Sequence, residues 1–148
     1  SYDAYVDRGV ALAEMQQIAI QNAFVALFHH LEKWAADDLR LKRVSCPNKG
    51  REFCGIGCLI DVLRAEPRTK DMGDAVNFIR LVANCSKHDE GRSCDELQAT
   101  YPEVFSLPPI GRPTAALLNL SPDKFKESLE TLLNGFHRLR EIKGWRSR

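Results

Sequence analysis

The chain has 148 residues, 44% of them hydrophobic, with 21 Lys+Arg, 20 Asp+Glu and 4 His for a formal charge of +1. That length suits one domain with one core, and the apolar content excludes a disordered chain. No run of roughly 18 apolar residues exists to span a membrane. No secretory-type leader opens the given sequence, so a cytoplasmic protein is expected, with secretion as the alternative.

Residues 3–39 predict one long helix, with Asp3 as its N-cap. Val6, Val10, Ala13, Gln17, Ile20, Phe24, Leu27, Leu31 and Trp34 step by alternating fours and threes. This is a heptad seam with one polar position, Gln17. At ~1.5 Å per residue, an unbroken helix of this length spans about 55 Å. A compact chain of this size has a radius of gyration near 15 Å, so the helix is long for a solitary globule. The expectation is a homo-oligomer assembled through Val6, Val10, Ile20, Phe24, Leu27 and Leu31, with a core seam of a monomeric bundle as the alternative.

Residues 40–51 lose the apolar period and contain Pro47 and Gly50, the marks of a loop. A helix over 52–65 follows, weakened at its start by Gly55 and Gly57 and ended by Pro67. Asp71 or Asp74 is expected to cap the next helix, which stops near Cys85. Ser86 to Arg92 reads as a polar loop. Ser93 and Glu96 have capping-box spacing before a short helix ended by Pro102. Four of the seven prolines fall in 102–113, the signature of an extended strap. A helical turn is expected in Thr114–Leu120. Ser121-Pro122 is a strong helix start, Ser at N-cap and Pro at N1, for a final helix over 122–142 closed by Gly144. Period-2 runs are absent, so the fold class is all-α: a single-domain bundle of about five helices with a long N-terminal helix.

The near-neutral charge is a cancellation. Arg40 to Arg51 holds Arg40, Lys42, Arg43, Lys49 and Arg51 with no acid. Arg138 to Arg148 holds Arg138, Arg140, Lys143, Arg146 and Arg148 against Glu141 alone. Together these segments carry +9, which leaves −8 on the remaining chain. Clustered Lys and Arg attract phosphates or acidic protein surfaces. They also favour helix C-termini, where the macrodipole is negative. The expected contacts with an acidic protein or nucleic acid are therefore Arg40, Lys42, Arg43, Lys49 and Arg51, then Arg138, Arg140, Lys143 and Arg146.

Five cysteines occur: Cys46, Cys54, Cys58, Cys85 and Cys94. No C-x2-C pair is present. Three chemistries remain open. Cys54 and Cys58 at i,i+4, with Cys85 and His88, form a Cys3His set able to close on a structural Zn2+. Disulfides would leave one thiol over and need an oxidising compartment. Reduced buried thiols would serve as small hydrophobes. Asn84-Cys85-Ser86 and Asn119-Leu120-Ser121 both match the glycosylation acceptor pattern.

No Walker loop, G-x-S-x-G or H-E-x-x-H appears, and no nucleophile stands beside an assembled base. The reading is a non-catalytic adaptor or inhibitor that assembles through its N-terminal helix and grips an acidic partner. It needs no cofactor, or a structural Zn2+. The alternatives are a secreted, disulfide-stapled carrier of a small hydrophobic ligand and a small enzyme or redox protein using the cysteines.

Overall fold

Five α-helices account for most of residues 1–39, 55–106 and 111–142, the residues described by the computed structural model. They are α1 (Tyr2–Trp34), α2 (Ile56–Ala65), α3 (Lys70–His88), α4 (Arg92–Thr100) and α5 (Pro122–Glu141). Among the described residues no strand forms, and the one bridge pairs Phe105 with Leu118. The all-α expectation therefore holds. The loop expected over 40–51 lies outside the described residues, as does Gly144.

The chain gathers into two compact units, and the breaks between them, after Val25, Arg80 and Phe125, fall within α1, α3 and α5. The first unit holds Ser1–Val25 and Leu81–Phe125. Its core is Ile20, Phe24, Leu81, Val82, Leu97, Val104, Leu118 and Leu120. Phe24 and Phe125 meet edge to face at 5.1 Å. Cys85 and Cys94, both fully buried, are joined by a disulfide. The bridge closes the α3–α4 corner, which Asp89 and Gly91 turn at positive φ. Ala115 N–H donates to Asp89 carbonyl at 2.7 Å and holds the corner against the strap.

That strap is built on backbone pairing. Asn119 N–H donates to Val104 carbonyl and Ser106 N–H to Leu117 carbonyl. The expected helical turn is a 3-10 turn, Ala115–Leu117. Ser121 then caps α5, its Oγ accepting from Lys124 N–H at 3.1 Å.

The odd residue of the heptad seam finds its reason here. Gln17 Nε2 donates to Leu120 carbonyl at 2.7 Å, and Leu120 N–H donates to Gln17 Oε1 at 2.8 Å. The side-chain amide thus pairs with both backbone groups of one strap residue, as a neighbouring strand would. Gln21 Nε2 adds a bond to Ala115 carbonyl.

The second unit holds Ala26–Arg80 and Lys126–Arg148. Its core includes Phe28, Leu31, Leu59, Leu63, Met72, Val76, Ile79 and Leu132. Trp34 meets Phe136 edge to face at 4.9 Å. Gly55 caps α2 at φ 133°, a conformation only glycine adopts freely. Thr69 Oγ1, buried, donates to Leu63 carbonyl near the end of α2. Gly135 is a close-approach site. A Cβ there would stand 2.6 Å from Met72 Cβ, so α5 meets α3 only because the residue has none.

Several expectations need correction. Neither Asp71 nor Asp74 caps α3, because a 3-10 turn, Pro67–Thr69, runs straight into that helix. Asp74 instead takes Arg64 Nε at 2.8 Å and Lys70 Nζ at 3.2 Å. Helix α3 continues to His88, three residues into the segment read as loop, which narrows to residues 89–91. The Ser93–Glu96 capping box is unused. Gly91 is the N-cap and Ser93 lies inside α4.

The seam of α1 also departs from its repeat. The deepest residues are Ile20, Phe24, Phe28, Leu31 and Ala35, with Leu27 and Trp34 only half-buried. A 3.5-residue repeat on a 3.6-residue helix drifts ~20° per heptad, which carries positions 27 and 34 off the core and 28 and 35 onto it. Helix α1 ends in a π-helical turn, Ala35–Leu39.

Candidate docking surface

Of the six residues expected to assemble copies, Ile20, Phe24 and Leu31 are buried within this chain, and Leu27 is half-buried. Ile20, Phe24 and Leu31 are core, and of the six only Val6 and Val10 are exposed. The uncovered apolar surface lies nearer the N-terminus. Every residue from Ser1 to Gln16 is exposed. Within α1, Tyr2, Tyr5, Val6, Val10, Leu12, Met15 and Ile18 are between 42% and 81% exposed.

Helical geometry arranges them. Tyr2, Tyr5, Val6, Val10 and Leu12 spread over one broad side, with Gly9 and Ala13 between them as small residues. Asp3, Asp7 and Glu14 stand at i, i+4 and i+11, a single line along the edge of that side. Arg8 is the lone Lys or Arg before Lys33. The element is thus an apolar face with an acidic margin.

Magnitudes decide what it can do alone. Fully burying an aliphatic or aromatic side chain is worth roughly 1.5–3 kcal/mol, so the five partly exposed ones on this side give somewhat under about 10 kcal/mol gross. Association costs about 4–15 kcal/mol in lost freedom. The apolar face alone therefore supports weak binding, and the acidic margin would set orientation and speed.

The basic segments are only partly described. Arg40, Lys42, Arg43, Lys49 and Arg51 lie outside the described residues, as do Lys143 and Arg146. Arg138 and Arg140 are exposed on the last turns of α5. Arg138 donates to Arg68 carbonyl at 3.2 Å, so the structure brings Arg68 beside that segment. Sequence separation hid Arg68, 70 positions away. Its guanidinium bonds Glu66 at 2.8 Å, which holds the Glu66 carboxyl below its ordinary range.

The four residues expected around a metal are scattered in state. Cys85 is bonded to Cys94. Cys58 is also disulfide-bonded, to a partner outside the described residues. Cys54 lies outside them as well, and His88 is exposed at the end of α3. A sulfur in a disulfide is not a thiolate ligand, so that donor set belongs to the reduced chain alone. His29 and His30 are both exposed, and His29 stands 3.7 Å from Glu32.

Among the described residues no helix is long and apolar enough to cross a membrane. Comparison with protein-family models, with characterised proteins and with solved structures yields no match.

Proposed function

We propose that this is a non-catalytic helical binding protein whose docking element is the N-terminal half of α1. The partner is a protein with an apolar groove and Lys or Arg along one rim, the helix-in-groove mode of recognition. One observation carries the reading: about three turns of an amphipathic helix, Tyr2 to Ala13, leave their apolar side uncovered within this chain. Exposed contiguous apolar surface on a folded protein marks an interaction site. The acidic line of Asp3, Asp7 and Glu14 argues for the basic rim. The two basic segments would grip acidic surface elsewhere on the same partner or on a nucleic acid.

Photo-crosslinking tests it. A photoreactive residue at Leu12 should give a discrete adduct in the native extract. The same probe at Leu133, an exposed apolar position on α5, should not. The adduct should vanish with Val6→Asp plus Val10→Asp and weaken with Asp7→Lys plus Glu14→Lys. Equal adducts at both positions, or an adduct indifferent to these variants, would overturn the reading. An adduct of twice the chain mass would put a second copy in the groove's place.

A second reading, the disulfide-stapled carrier, draws support from the Cys85–Cys94 bridge. Saturable uptake of a hydrophobic fluorescent probe, unaffected by Val6→Asp plus Val10→Asp, would favour it.

A further inference from the structure

The two glycosylation-type tripeptides stand in different surroundings. Asn84 is half-buried inside α3, and its sequon's central residue, Cys85, is fully buried in the disulfide. Asn119 lies outside any helix, on the extended segment that enters α5. Leu118 and Leu120 on either side are buried, and extended backbone alternates its side chains, so Asn119 projects outward. Its neighbours hold it there. Asn119 N–H donates to Val104 carbonyl, and Gln17 takes both polar groups of Leu120. Among the described residues the Asn119 side-chain amide has no hydrogen-bond partner. Ser121 completes the tripeptide and is exposed.

A second line is chemical. Cys85, Cys94 and Cys58 are all in disulfides, bonds that form in oxidising compartments. The lumen that oxidises thiols in eukaryotic secretion is also where asparagine sequons are modified.

We propose that Asn119 is an N-glycan acceptor and that Asn84 is not. In the transfer, Asn119 Nδ2 bonds to the anomeric carbon of an oligosaccharide carried on a lipid diphosphate. The bond from that carbon to the diphosphate oxygen breaks. The lipid diphosphate leaves with the electron pair, and the amide gives one proton to a base of the transferase.

The full chain, secreted from a eukaryotic cell behind a cleavable leader, provides the test. Digestion with peptide-N-glycosidase should remove one glycan's mass and leave Asp at position 119. Asn119→Gln should lose the glycan and Asn84→Gln should keep it. Ser121→Asp retains a good N-cap but destroys the acceptor pattern, so it should be folded and unglycosylated. Ser121→Thr keeps both and should remain glycosylated. A wild type secreted without a glycan, or a glycan that survives Asn119→Gln, would overturn the proposal.

Discussion

Replacing Gln17 by Leu completes the heptad seam, and on pattern alone it should stabilise the protein. The geometry says the opposite. The substitution removes two hydrogen bonds to Leu120, each worth about 1 kcal/mol net. It also leaves the N–H and C=O of Leu120, a residue only 2% exposed, without partners. That adds roughly 1–3 kcal/mol. The leucine side chain, at a half-exposed position, returns about 1 kcal/mol by burial. The net loss is about 3 kcal/mol, a large part of a typical total of about 5–15. In urea, with a slope of about 1–3 kcal/mol per molar, the midpoint should fall by roughly 1–3 M. Helical circular dichroism reads the transition. Gln17→Glu is the internal control. Its carboxylate can accept from Leu120 N–H but presents no hydrogen to Leu120 carbonyl, so its deficit should be smaller. That deficit should shrink further in acid, where the protonated group regains a donor. A Gln17→Leu protein as stable as wild type would refute the strap pairing.

Gly135→Ala should destabilise by about 1–2 kcal/mol, because overpacking costs roughly 1–3 and outweighs a helix-propensity gain of up to ~1. Met72→Ala in the same chain should relieve part of that loss, and a stabilising Gly135→Ala in urea would contradict the close approach. At Asp74, burial raises the carboxyl pKa, but hydrogen bonds from Arg64 and Lys70 together outweigh it, and the net shift is downward. A depressed carboxylate stabilises the fold above its unfolded pKa and ceases to do so as pH falls through the folded value. Asp74→Asn should therefore have a lower urea midpoint than wild type at neutral pH, with the gap closing in acid. Equal midpoints at pH 7 would sink the pairing. Alkylation of the denatured, unreduced chain should label one thiol, and five after reduction, since Cys85, Cys94, Cys58 and the latter's partner are oxidised. Three or more labels before reduction would contradict this.

The helices were legible because local chemistry sets them. Ser121-Pro122 starts α5, Pro67 ends α2, and the apolar stripes repeat at helical spacing. What could not be read depends on distance. Gln17 marks itself as polar within an apolar seam, yet nothing local says that its partner is Leu120, 103 positions away. Ser93 and Glu96 have the right spacing for a cap, but Gly91 starts α4 earlier. Of the two acids expected to cap α3, Asp71 and Asp74, the second is drawn into an ion pair with Arg64. The docking face illustrates the limit most directly. Val6 and Phe24 sit in the same repeat, and only the packing shows that one is core and the other surface. The basic residues of 40–51, legible as a cluster, lie outside the described structure and keep the status of an expectation.

The Cys85–Cys94 bridge has a consequence for proteolysis. Ser86 to Ser93 lies between the two sulfurs, and Lys87, His88, Asp89, Glu90 and Arg92 in it are exposed. A protease that nicks the chain there separates α3 from α4 in sequence without separating them covalently. The cut molecule, heavier by one water, stays a single covalent piece until a reductant is added, and only then can it part into two. Cleavage at this corner leaves one covalent molecule and is silent in electrophoresis without reductant. For a protein outside the cell, a nick there would leave α4 tethered to α3 rather than released.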